Sequence, residues 1–169
     1  GDIAAEELFD GFPVEIIDLV ADTMFNMESV VDLSAYDIST DDAVALFSAV
    51  AKYYPAEYSL IANSDFTYKI IVSPSLDRIM NIRFYYGDDA SLSTYQKRVK
   101  DLNAEIDALV AKVEGMNDFE KALYIHDYIV LNSEYDLELL DYMEKNNFIL
   151  PGELRSEKYT EYSILVNGT

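Results

Sequence analysis

The chain has 169 residues and a mass of 19.2 kDa, with 50% hydrophobic and 13% aromatic residues, a composition that supports one packed domain and argues against wholesale disorder. Its 32 acidic residues against 12 basic ones give a net charge of -20, which repels a phosphate backbone and sets nucleic acid aside as a partner. The absence of cysteine excludes a disulfide, a thiolate nucleophile and a thiolate metal site.

The start, GDIAAEELFD, has neither a basic leader nor an apolar run, so any export signal is expected to precede residue 1. No stretch approaches the roughly 20 apolar residues of a membrane span. Phe12-Pro13 opens a first helix, to about Met27, with Val14, Ile16, Ile17, Val20, Met24 and Phe25 on its apolar side. Residues 29–39 read as an extended or irregular connection. Ser39-Thr40-Asp41-Asp42 then offers cap oxygens and acids to a helix over 41–54, which Pro55 disfavours continuing. Its apolar positions are Val44, Phe47, Val50, Ala51 and Tyr54.

The period then changes. Phe66, Tyr68, Ile70 and Val72 alternate, Ile79, Ile82, Phe84 and Tyr86 form a second β-prone run, and Ser73-Pro74-Ser75-Leu76-Asp77 has turn chemistry between them. An antiparallel hairpin of 64–73 with 78–87 is expected, ended by Gly87-Asp88-Asp89. From Leu92 to Glu114 a single stripe of Tyr95, Val99, Leu102, Ile106, Leu109 and Val113 predicts a long amphipathic helix packed on a neighbour, with Gly115 at its end. The one basic cluster, Gln96-Lys97-Arg98-Val99-Lys100, reads as a solvated face of that helix.

Asn117 and Glu120 form a capping-box pattern for the next helix, expected over 118–132. Phe119, Ala122, Leu123, His126, Ile129 and Val130 share one face, and Tyr124, Ile125, Tyr128 and Leu131 widen it almost all round. So apolar a helix is expected at the centre of the core, with His126, the chain's single histidine, as a buried, neutral, hydrogen-bonded imidazole. Asp127 follows it directly, but neighbours on a helix point about 100° apart, so adjacency does not make a catalytic dyad. Residues 137–161 are rich in charge and turn formers and read as a surface excursion, before Tyr162-Ser163-Ile164-Leu165-Val166 recovers apolar character.

The fold class expected is α+β, mainly helical with one antiparallel β-hairpin. The order Asp118-Phe119-Glu120-Lys121-Ala122-Leu123, Ile125-His126-Asp127-Tyr128-Ile129, Tyr135-Asp136 and, after a variable excursion, Tyr162-Ser163-Ile164-Leu165-Val166-Asn167-Gly168 resembles the lead-in to the active site of bacterial transglutaminase-like proteins. Asp32-Leu33-Ser34, the proline after the second helix and the two-stranded run resemble the N-terminal extension of clostridial members. The resemblance implies an incomplete transglutaminase-like (papain-like) core, with 1–115 as the N-terminal extension and 116–169 as the start of the core, packed as one unit.

In that family a Cys-x-Gly-Tyr motif follows the signature, and the catalytic His and Asp come later. His126 therefore matches a position ahead of the nucleophile. His126, Asp127, Tyr128, Tyr135, Asp136, Tyr162, Asn167 and Gly168 are expected to be structural signature residues, with no catalytic, cofactor or metal residue and no cofactor. The expected partner is the missing C-terminal catalytic half, with a protein or peptidoglycan-peptide substrate for the intact parent. The resemblance also implies secretion or a cell-surface location.

The competing reading is an independent acidic binding or adhesion module using Tyr53, Tyr54, Tyr58, Tyr85, Tyr86, Tyr159 and Tyr162 as contacts. A carboxylate hydrolase or calcium protein is a third. Asp41-Asp42, Asp88-Asp89 and Asp136 with Glu138 are acidic pairs, but no stretch fits an Asp-x-Asp-x-Asp-Gly calcium loop. Asn167-Gly168-Thr169 matches a glycosylation acceptor by chance.

Overall fold

The computed structural model describes residues 7–87 and 91–168, and within them the fold is α+β and mainly helical, with small antiparallel sheets. Asp88 and Asp89 of the expected hairpin end, and Thr169 of the acceptor triplet, lie outside the described residues.

A two-residue ribbon, β1 (Leu8–Phe9) with β2 (Phe12–Pro13), leads into α1 (Val14–Phe25). Pro13 stands at the cap rather than inside the helix, where its missing N–H costs nothing. The apolar side of α1 buries Ile16, Ile17, Val20 and Met24, each fully enclosed aliphatic side chain contributing about 2 kcal/mol. After a short 3-10 turn, Thr40–Asp42, α2 (Ala43–Tyr53) buries Leu46, Phe47 and Val50 against it.

Pro55 ends α2 as expected, but also starts a helix that the sequence reading lacked, α3 (Pro55–Ala62), with the proline in its first turn. Tyr54 is the hinge between them, with φ -125° and ψ 62°, and its hydroxyl donates to Asp18 Oδ1 at 2.7 Å. Leu60 and Ile61 are fully buried, but the helix has no clean apolar stripe and so no periodic signature.

The expected hairpin is present as β4 (Phe66–Val72) and β5 (Ile79–Tyr86). It is not alone: the stretch expected as an extended or irregular connection contains β3 (Val30–Asp32), which pairs antiparallel with β5 and makes β5 the centre of a three-stranded sheet. Three residues are too few for a visible alternation, which is why the sequence showed an extended connection there and no paired strand. The register skips Met80 on β5, pairing Ile71 with Asn81 and Val72 with Ile79. That extra residue puts Ile79 and Ile82, three apart, both in the core.

The long helix is α4 (Leu92–Lys112), and Gly115 just beyond it takes φ +81°, a left-handed conformation that glycine adopts without Cβ strain. Tyr95 and Leu102 enter the core, and Tyr95 Oη donates to the Glu57 carbonyl of α3 at 3.1 Å. The basic cluster is not wholly solvated. Lys97 is exposed and pairs with Asp101 at i+4, but Arg98 faces inward, with only 10% of its side chain exposed.

Next comes α5 (Asp118–Asn132), capped by Asn117 and Glu120 through two reciprocal bonds at 3.0 and 2.9 Å. Its expected central position is overturned: none of its residues is buried, and the core is built by the elements before it, closed by Tyr162. Apolar character on all sides specified that the helix requires cover, not that the described chain supplies it. The tail forms α6 (Leu137–Lys145), α7 (Gly152–Lys158) and a π-helical turn, Ser163–Asn167. Residues 137–161 are more than a surface excursion, because Leu150 and Thr160 are buried. Gly152 lies so close to Asp65 that an added Cβ would stand 2.6 Å from its backbone nitrogen.

Candidate functional site

The eight residues expected to be structural lie on α5, in the loop after it, and in or beside the π-helical turn, with different local causes for each. Gly168 ends the turn in a left-handed conformation, φ +70°. Its carbonyl accepts from Glu134 N at 2.8 Å, and a Cβ on it would fall 2.7 Å from the Asn132 carbonyl oxygen. Only glycine satisfies both the backbone angle and the close approach. The C-terminal signature thus closes against the end of the N-terminal one.

Between the two lies an apolar groove of about 280 Å³, formed by Leu109 of α4 and Val113 at its C-terminal cap, Ile125 and Ile129 of α5, and Ile164 and Leu165 of the turn. Asn167 Nδ2 donates to Glu157 Oε1 at 3.4 Å. Tyr162 is buried, with the Arg98 guanidinium 6.0 Å from its ring centroid. Tyr128 is half-buried beneath the Lys112 ammonium, 5.5 Å from its centroid. Tyr135 is exposed.

Asp136 caps α6 by accepting from Leu139 N at 2.8 Å and pairs with Lys158 Nζ at 2.8 Å. The Lys158 hydrogen bond and then the Leu139 amide hold its carboxyl below the usual aspartate value.

His126 is the correction in this group. Expected inside, it has 70% of its side chain exposed, on the solvent side of α5. Its Nδ1 lies 3.1 Å from Asp127 Oδ1, so the adjacent residues do touch. The 100° offset separates their Cα–Cβ directions, yet with nothing packed between them the two side chains swing together over the helix surface. Such an exposed pair contributes at most about 1 kcal/mol. The carboxylate can orient the imidazole as in a hydrolytic triad, but among the described residues no serine or threonine hydroxyl bonds to the ring.

Beside this pair, Glu114, Glu120 and Asp127 line an open depression of about 550 Å³ with Met116, Leu123 and Tyr124. Among the described residues no three of His, Asp and Glu converge to hold a metal ion. Of the seven tyrosines considered for a recognition surface, Tyr162 is buried and Tyr54, Tyr58 and Tyr86 are half-buried, leaving Tyr53, Tyr85 and Tyr159 exposed. Among the described residues no helix is long and apolar enough to cross a membrane.

Sequence reasoning missed Arg98 and Glu157, whose contact at 2.9 Å holds α7 to α4. The available signal was the position of Arg98 next to the apolar stripe, three residues after Tyr95 and four before Leu102. No family model, curated protein or solved structure matches the chain.

Proposed function

We propose that this chain is a non-catalytic scaffold of a transglutaminase-like protein, in which residues 116–169 begin a core completed by a catalytic half not contained in these 169 residues. The observation that supports this reading is the closure of Gly168 on the end of α5. Two sequence segments that carry the resemblance, far apart along the chain, form one unit through the Glu134 N to Gly168 O bond and the shared apolar groove.

In that role the chain holds the lead-in to the nucleophile rather than the nucleophile. Cysteine acyl transfer requires a thiolate attacking an amide carbonyl, a histidine to take up and return the proton, and an orienting carboxylate. The sequence supplies no thiol, and among the described residues the His126–Asp127 pair has no hydroxyl partner to substitute for one. The intact parent's protein or peptidoglycan-peptide substrate, and a secreted or cell-surface location, belong to the same proposal.

The test is the coding sequence after Thr169. A Cys-x-Gly-Tyr motif within a few codons is the expected result, with amide acyl transfer by the extended protein and none by this chain. A stop codon at that point overturns the reading.

A further inference from the structure

Phe119, Leu123, His126 and Val130 follow one another by four, three and four residues, so they form a single straight stripe along α5. The stripe faces solvent: Phe119 is 75%, Leu123 50% and Val130 61% exposed. In heptad terms Phe119 and His126 take d positions and Leu123 and Val130 a positions, the pattern of a helix that receives another helix. The e positions along one flank are then Glu120, Asp127 and, just past the helix end, Glu134, all acidic. The g positions on the other flank, Ala122 and Ile129, carry no charge.

We propose that this stripe is the docking surface for one amphipathic helix whose apolar seam is flanked by lysine or arginine on the side facing Glu120 and Asp127. The depression lined by Glu114, Glu120 and Asp127 opens on that flank, with Leu123, Tyr124 and Met116 to cover an aliphatic stem and carboxylates along its lining to attract the charged end. Glu120 keeps one oxygen on the Asn117 amide and has the other for the incoming cation.

A second copy is the wrong occupant. Antiparallel pairing of two α5 helices sets e positions against e positions, acid upon acid, between chains that each carry -20. For its source the inference rests on the parent-protein reading, which places the helix in the polypeptide beyond this chain. Gly168 lies beside the end of α5, against the Asn132 carbonyl, so polypeptide following it would start within reach of the stripe.

Three synthetic helical peptides of about three heptads test the chemistry: a leucine seam with lysine flanks, the same seam with glutamate flanks, and lysine flanks around a serine seam. Binding is read by fluorescence anisotropy at low and high salt and mapped by amide NMR shifts on the labelled chain. The leucine–lysine peptide is expected to shift residues 119–130 and to bind at least about tenfold tighter than its glutamate counterpart, the difference shrinking in salt. The serine-seam peptide is expected not to bind there.

Leu123→Asp or Val130→Asp should abolish binding with an unchanged melting temperature, since both sites are exposed, and Asp127→Lys should weaken the lysine peptide. Equal binding of lysine and glutamate peptides, shifts centred elsewhere, no binding at all, or self-association lost in Leu123→Asp would each overturn the inference. These outcomes concern the stripe alone. A stop codon after Thr169 overturns instead the parent reading and, with it, the source of the helix.

Discussion

Arg98 of α4 donates to Glu157 of α7 at 2.9 Å across 59 residues of sequence, and its guanidinium also faces the ring of Tyr162. One nearly buried cation thus fastens two pieces of the tail to the helix that closes the core. Arg98→Ala leaves the Glu157 carboxylate without that partner and removes the aliphatic packing, and is expected to cost about 2 kcal/mol in urea unfolding. Arg98→Lys should recover less than half, because a point charge cannot offer the planar guanidinium to both the carboxylate and the ring. The loss should appear in hydrogen exchange of residues 150–168 before it appears in α1. Wild-type stability in Arg98→Ala would show that the tail is held by packing alone.

At Gly152 the limiting quantity is space. Gly152→Ala places a methyl group 2.6 Å from Asp65 backbone, which cannot rotate away, so a loss of about 1–3 kcal/mol in chemical denaturation is expected. Gly115→Ala meets no atom within 4 Å and should cost only the left-handed backbone penalty, about 1 kcal/mol. The comparison separates crowding from conformation, and equal losses would refute the distinction.

His126 should be dispensable to the isolated chain. His126→Ala removes an exposed ring and one surface pair and is expected to change stability by less than about 0.5 kcal/mol. The purified chain is expected to show no amide acyl transfer on a glutamine-donor peptide with an amine acceptor. Turnover that His126→Ala abolishes would assign the His126–Asp127 pair to catalysis.

Alkaline stability should depend on Tyr95. Burial first, then the nearby Glu57 and Tyr86, push its hydroxyl well above the ordinary tyrosine value. With the folded value raised, its contribution is complete below the unfolded value of about 10 and is lost as pH rises from there toward the folded one. Tyr95→Phe is expected to cost about 1 kcal/mol at neutral pH through the lost bond to the Glu57 carbonyl. It should also flatten the fall in melting temperature above about pH 10, and an unchanged alkaline slope would remove Tyr95 from that role.

The sequence carried the elements with strong local causes. The capping box placed α5, the stripe placed α4, and the change of period placed the hairpin, each within a few residues. Its failures involve information distributed along the chain. The strand β3 exists because β5 offers it an edge, and α3 because it packs against α1, α2 and α4 rather than because of any stripe. His126 was misplaced for the complementary reason: periodicity identifies a face that favours cover without identifying its neighbour. The contact of Gly168 with Asn132 had no signal in the sequence and is a fact of tertiary structure alone.

The order β3-β5-β4 also bears on how the chain acquires its fold. The β4 and β5 strands are joined by a short turn and meet at little entropic cost, whereas the pairing of Val31 with Ile82 closes a loop of about fifty residues containing α2, α3 and β4. Loop-closure entropy therefore favours the local hairpin first and the capture of the third strand after it. An isolated two-stranded hairpin is marginal in water, so the capture and the helices packed beneath it convert a transient ribbon into lasting structure. The slow event in folding is then the return of Val30–Asp32 to an edge created some fifty residues downstream, an edge that does not yet exist when those three residues leave the ribosome.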